Sequence, residues 1–166
     1  MNIEKIKSFC KDLLPYVVIV LVVIIIRTFI VTPVRVDGPS MKPNLKNGNI
    51  MILNKLANID RYDIVVIKSL KLNETLIKRV YALPGEKIKC VDGKIYINGS
   101  VIKDEYGSGT TADFDEVTVP NDSYFVMGDN RPISLDSRLL GTFTKDEIKG
   151  TTSIRIFPLN RFGFVK

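Results

Sequence analysis

The sequence predicts a mostly β protein, an antiparallel β domain preceded by one transmembrane helix. Leu13 to Val31 reads LLPYVVIVLVVIIIRTFIV, nineteen residues in which Arg27 is the single charge. Beyond it, apolar residues fall in short β-branched runs rather than helical stripes. Two neighbouring junctions are Asp92-Gly93 and Asn98-Gly99, pairs favoured in two-residue hairpin turns because both central positions need positive φ.

At about 1.5 Å per residue the apolar segment spans roughly 28 Å, one hydrocarbon core. Arg27 lies near its end, where a long side chain can snorkel to the headgroups. A buried core helix would show a polar stripe, and Val17 to Ile26 has none. A cleavable export leader would be followed by a small-residue site, but Thr32-Pro33-Val34-Arg35-Val36 follows. The remaining reading is an uncleaved single-span anchor. Lys5, Lys7 and Lys11 precede it, so the positive-inside rule places residues 1–12 in the cytoplasm and residues 32–166 outside.

The outer part carries 20 Lys+Arg against 16 Asp+Glu, spread along the chain. Nucleic-acid binding would need a clustered basic face with aromatic platforms, and neither is visible. The modest excess fits a soluble surface attracted to anionic lipid. Cys10 and Cys90 flank the span, so no intramolecular disulfide is expected. With no histidine and no CxxC there is no plausible zinc ligand set, and no cofactor is implied.

Strands are predicted at 49–53 and 64–67, then as a three-strand meander over 87–103, then at 124–127 and 153–157. Asp104 to Glu116 (DEYGSGTTADFDE) reads as an exposed loop, and a brief helix fits 144–148.

The absence of histidine excludes a Ser-His-Asp triad, so serine chemistry would need a lysine or carboxylate base. Ser40 lies in Gly38-Pro39-Ser40-Met41-Lys42-Pro43, nine residues past the span. Such punctuation restricts a turn, and a turn that exposes a serine hydroxyl and its own N–H supplies nucleophile and oxyanion donor together. Lys78 lies in Thr75-Leu76-Ile77-Lys78-Arg79-Val80-Tyr81-Ala82-Leu83-Pro84-Gly85-Glu86, within a predicted strand. Alternation puts Leu76 and Lys78 on one face, where apolar company disfavours the charged amine. A third stretch runs Gly128-Asp129-Asn130-Arg131-Pro132-Ile133-Ser134-Leu135-Asp136-Ser137-Arg138-Leu139-Leu140-Gly141. Its acids and arginines suggest a hydrogen-bonded loop, and the Ser134 hydroxyl could orient a lysine amine.

These three stretches, in this order after an apolar anchor, resemble the conserved boxes of type I signal peptidases, the bacterial Ser/Lys enzymes. Arg61-Tyr62-Asp63-Ile64-Val65-Val66 resembles a fourth, with Tyr62 where glycine is frequent. The compact length resembles the Gram-positive form. The resemblance implies the β fold shared by signal peptidases and SOS-type repressors, and removal of signal peptides from exported preproteins at the outer membrane face. It implies Ser40 as nucleophile, Lys78 as general base and Ser134 beside the lysine amine. It further implies an Asp136–Arg138 structural ion pair and an Arg79–Asp129 pair. The Ser40 N–H would serve the oxyanion. Some relatives add a hydroxyl two residues earlier, where this chain has Gly38, so a Gly38 main-chain group or water would substitute. Val36, Met41, Leu76 and Ile77 are candidate walls of shallow pockets selecting Ala-x-Ala. Two other readings are a self-cleaving Ser/Lys protein, which lacks support without a helix-turn-helix pattern, and an inactive anchored binding protein, against which both Ser40 and Lys78 are present.

Overall fold

The computed structural model describes residues 3–165. The side chains of Lys5, Lys7 and Cys10, which enter the topology and disulfide expectations, lie outside what it describes. Helix α1 (Ile3–Ile25) widens into a π-type turn over Ile26–Ile30 and passes directly into β1 (Val31–Arg35). The stretch Lys11–Ile30 is long and apolar enough to cross a membrane, and none of it is buried against the rest of the chain. A row of exposed Val, Leu and Ile along it has nothing protein-made to cover it, unlike the core helix of a soluble domain.

The remainder is antiparallel β. Strands β2 (Ile50–Asn54), β3 (Ile64–Ser69), β4 (Glu74–Ala82), β9 (Ser123–Met127), β10 (Phe143–Thr144) and β11 (Ile148–Phe157) join β1 in one sheet, ordered β1-β2-β11-β3-β4-β9-β10. Strand β12 (Gly163–Phe164) pairs with β11. A second sheet, ordered β7-β6-β5-β8, is built from β5 (Lys87–Val91), β6 (Lys94–Ile97), β7 (Ser100–Val101) and β8 (Phe114–Thr118). The meander is as expected: Asp92, Gly93, Asn98 and Gly99 all take positive φ, as primed turns require.

Apolar alternation divides the interior into three clusters. Tyr81, Ile88, Ile95, Phe125 and Met127 pack between the two sheets. Val65, Val80, Val126 and Phe143 form a second cluster. Val36, Met41, Leu45, Met51, Ile64 and Val165 form a third, beneath the segment that carries Ser40.

Residues 31–35 form a strand in which Pro33 is tolerated because β1 lies at the sheet edge. Three expectations change. The loop predicted over 104–116 ends early, since Phe114 opens β8 against β5. The helix expected over 144–148 is a single 3-10 turn, Lys145–Glu147, closed by a Thr144/Glu147 capping box. Strand β11 begins five residues before the predicted 153, hidden in the sequence by Gly150 and by register shifts. At Gly150 a Cβ would stand 2.2 Å from the Asn54 carbonyl oxygen, so only glycine lets the strands approach. Near the C-terminus Phe157, Phe162 and Phe164 stand exposed.

Candidate active site

Ser40 sits on a helical turn between β1 and β2. Gly38 takes φ +84°, a left-handed conformation that favours glycine, and reverses the chain out of the strand. Hydrogen bonds from Lys42 N–H to the Pro39 carbonyl and from Leu45 N–H to the Met41 carbonyl wind the turn. Met41 and Leu45 drive into the third cluster and fix it from below. The Ser40 side chain is left half-buried, and its N–H has no partner among the described residues.

Lys78 lies on β4, buried to 3% exposure. It pairs across the sheet with Val65 and shares its face with Leu76 and Val80. Burial pushes its ammonium below the ordinary lysine value; Asp136 opposes that, Arg138 reinforces it and Asp129 opposes it. Desolvation dominates, so the neutral amine is favoured by its surroundings.

Gly128 links the parts. The antiparallel pair Arg79↔Met127 puts Lys78 opposite Gly128 one step further on, with both facing the same side of the sheet. A Cβ at Gly128 would stand 2.1 Å from Ser134 Oγ and 2.7 Å from the Ser40 carbonyl oxygen. The missing side chain therefore leaves the space in which the Ser134 hydroxyl, the Ser40 turn and the lysine-bearing face converge. Ser134 Oγ is buried and has no hydrogen-bond partner among the described residues. A buried unsatisfied hydroxyl is costly and is suited to a partner brought by catalysis. Asn130 N–H donates to the Ser40 carbonyl at 2.9 Å, pinning the turn to the same loop.

Two ionic clamps hold this loop. Arg79 Nε and Nη2 donate to the two carboxylate oxygens of Asp129 at 2.9 and 2.8 Å, with both side chains wholly buried. Arg79 also donates to the Tyr62 carbonyl and lies 3.9 Å under the Tyr106 ring. Asn44, on the Ser40 turn, donates to Asp129 at 2.8 Å, so the clamp grips that turn as well. In the second clamp Arg138 makes a bidentate pair with Asp136, whose carboxylate also accepts from Gly128 N–H. Arg131 donates to the Gly128 carbonyl and is held by Asp104 and Thr111. Burial alone would raise the Asp104 carboxyl, but Tyr81, Arg131 and Gly107 N–H together hold it below the usual range.

The family model for signal peptidase, peptidase S26, matches residues 10–157. The chain belongs to the signal peptidase family. It is 36% identical to signal peptidase I S of Bacillus subtilis over 96% of this chain and 95% of that one. It is 37% identical to a signal peptidase I of Bacillus caldolyticus, over 90% and 92%. A solved signal peptidase I from Enterococcus faecalis superposes with a TM-score of 0.53 at 32% identity, covering 57% of this chain and 97% of that one. The chain is accordingly a hydrolase of the signal peptidase I type.

Within this signal peptidase fold, Ser40, Lys78 and Ser134 gather around Gly128, while Arg79–Asp129 and Asp136–Arg138 frame them. The Gly38 N–H donates to Asn47 Oδ1 at 3.3 Å, a bond that would have to break before this group could serve an oxyanion. Val36 and Met41 are each 1% exposed; they form the buried floor under the turn, whereas Leu76 and Ile77 are half-buried and reachable from solvent. Tyr62 keeps the bend with φ +72°, and its ring packs on Tyr81 and Tyr106. Sequence reasoning missed Gly128, Asn130 and Asn44. Glycine before an acid and asparagines in turns are too common to stand out in a single chain.

Proposed function

We propose that this protein is a membrane-anchored serine endopeptidase that removes signal peptides from exported preproteins, with Ser40 as nucleophile and Lys78 as general base. The observation that carries the reading is the buried, charge-disfavoured Lys78 facing Gly128, where Ser134 Oγ and the Ser40 turn converge. Residues 13–31 would cross the membrane, with 1–12 in the cytoplasm and 32–166 outside.

In the proposed reaction Ser40 Oγ attacks the carbonyl carbon of the last signal-peptide residue while neutral Lys78 Nζ takes its proton. The Ser40 N–H, left unengaged by the fold, donates to the developing oxyanion. The tetrahedral intermediate collapses, the C–N bond breaks and Lys78 returns the proton to the leaving amine. Water, deprotonated by the same lysine, then attacks the Ser40 ester and releases the signal peptide. Ser134 Oγ holds Lys78 Nζ in position throughout.

The substrate binds as an added strand. Strand β9 pairs with β4 only from Arg79 onward, so the edge of Glu74–Lys78 facing away from β3 carries no strand. Leu76 and Ile77 stand on that edge, and small residues fit against them.

The test is incubation of the purified full-length protein, in detergent, with a preprotein carrying an Ala-x-Ala signal. The wild type should release a single mature chain, and Ser40→Ala should release none. Equal processing by Ser40→Ala would overturn the assignment.

A further inference from the structure

Beside the Ser40 turn lies a second cleft of about 300 Å³ that the reaction does not use, lined by Lys46, Asn47, Gly48, Phe157, Pro158 and Arg161 among others. Neither the Lys46 ammonium nor the Arg161 guanidinium has an ion-pair or hydrogen-bond partner among the described residues. The Asn47 side-chain oxygen is engaged by Gly38 N–H, which leaves its amide hydrogens for a ligand. No acidic side chain lines the cleft. Phe157 lines it, and Leu159 and Phe162 follow its lining residues Pro158 and Arg161 in the chain; the three are exposed to 50, 78 and 66%, and Phe164 on β12 is exposed to 80%. Two unneutralised cations ringed by uncovered large apolar side chains are unsuited to bulk water and suited to the boundary between headgroups and acyl chains, where cations meet phosphate and rings meet hydrocarbon.

We infer that this cleft binds the headgroup of an anionic phospholipid, with Lys46, Arg161 and Asn47 around the phosphate and Phe157, Leu159 and Phe162 in the acyl boundary. A free phosphate would account for the cations but not for the apolar collar, so the lipid is the ligand that uses both. The cleft is tied to the nucleophile turn twice. Asn47 accepts from Gly38, and Arg155 donates to the Arg161 carbonyl at 2.7 Å and to the Asn44 carbonyl at 3.4 Å. An occupied cleft therefore holds the Ser40 turn at the membrane surface, next to the apolar span that leads into β1. The inference rests on the proposed anchoring of α1.

The experiment places the full-length protein in phosphatidylcholine vesicles and measures its association with spin-labelled phosphatidylglycerol against spin-labelled phosphatidylcholine. The wild type should prefer the anionic lipid. Each cation near the surface is worth about fivefold in lipid association, so Lys46→Gln/Arg161→Gln should lower the preference by about fivefold or more. Lys94→Glu, an exposed cation on the other sheet, should keep it. Cleavage in neutral lipid should persist in both variants and reports that they fold; if the double variant loses it, the two single variants are read in its place. An unchanged preference in the Gln variants, an equal fall in Lys94→Glu, or abolition of the preference by millimolar inorganic phosphate would each overturn the inference. Release of the wild type from vesicles by a carbonate wash would instead overturn the anchoring beneath it.

Discussion

The backbone N–H of Asn130 donates to the carbonyl of Ser40 at 2.9 Å, and this single bond joins two segments ninety positions apart in the chain. It fixes the nucleophile turn to the loop that carries Gly128 and Ser134. Geometry at this junction governs whether serine, lysine and hydroxyl can act together, because displacement by about 1 Å can cost two orders of magnitude in rate.

Gly128→Ala tests the junction. The added Cβ would stand 2.1 Å from Ser134 Oγ and 2.7 Å from the Ser40 carbonyl, so the loop or the turn must move. We expect a loss of about 1–3 kcal/mol in stability, as for overpacking, and about a hundredfold or greater loss in kcat/KM. Preprotein cleavage alongside thermal unfolding checks both, and near-normal turnover would show that the convergence is incidental.

Asp129→Ala removes the carboxylate from a wholly buried guanidinium. Arg79 would keep its bond to the Tyr62 carbonyl and its stacking under Tyr106 but lose two charge-assisted bonds, and Asn44 would keep only its 3.3 Å bond to the Tyr106 carbonyl. Breaking a buried pair in this way costs about 3–5 kcal/mol. Urea unfolding should show that drop, whereas Glu105→Ala, which removes an exposed pair with Lys103, should fall within about 1 kcal/mol of the wild type.

Lys78→Met should stabilise the protein near neutral pH. The folded chain holds Lys78 below the ordinary lysine value of 10.5, so between the two values the unfolded chain binds more protons and stability rises with pH. Below the folded value the burial penalty is fully present; above the ordinary lysine value it vanishes. The gain from Lys78→Met should therefore be largest below the folded value and shrink as pH rises from there to the ordinary lysine value. Denaturant midpoints across that range measure it, and a gain that grew with pH would contradict the burial argument.

The sequence made the apolar N-terminal helix, the meander and the three chemical stretches legible, because each depends on local pattern. Asp92-Gly93 and Asn98-Gly99 announce their turns through φ alone, and Lys78 announces its face through the alternation of its neighbours. The long strand β11 did not show itself, since Gly150 reads as a breaker until the Asn54 carbonyl behind it is seen. The role of Gly38 was hidden for a similar reason: its N–H is claimed by Asn47, a side chain whose direction depends on the closed loop. Val36 and Met41 are near Ser40 in sequence, but whether they line a pocket or floor a core depends on Leu45, Met51 and Val165 closing over them.

The most direct test of the account is the pH dependence of kcat/KM for preprotein cleavage by the full-length protein. If neutral Lys78 is the base for Ser40, activity rises with pH through an apparent pKa below 10.5, and Lys78→Ala and Lys78→Arg lack that limb along with most of the rate. A limb at or above the ordinary lysine value, or the same limb persisting in Lys78→Ala, would contradict it.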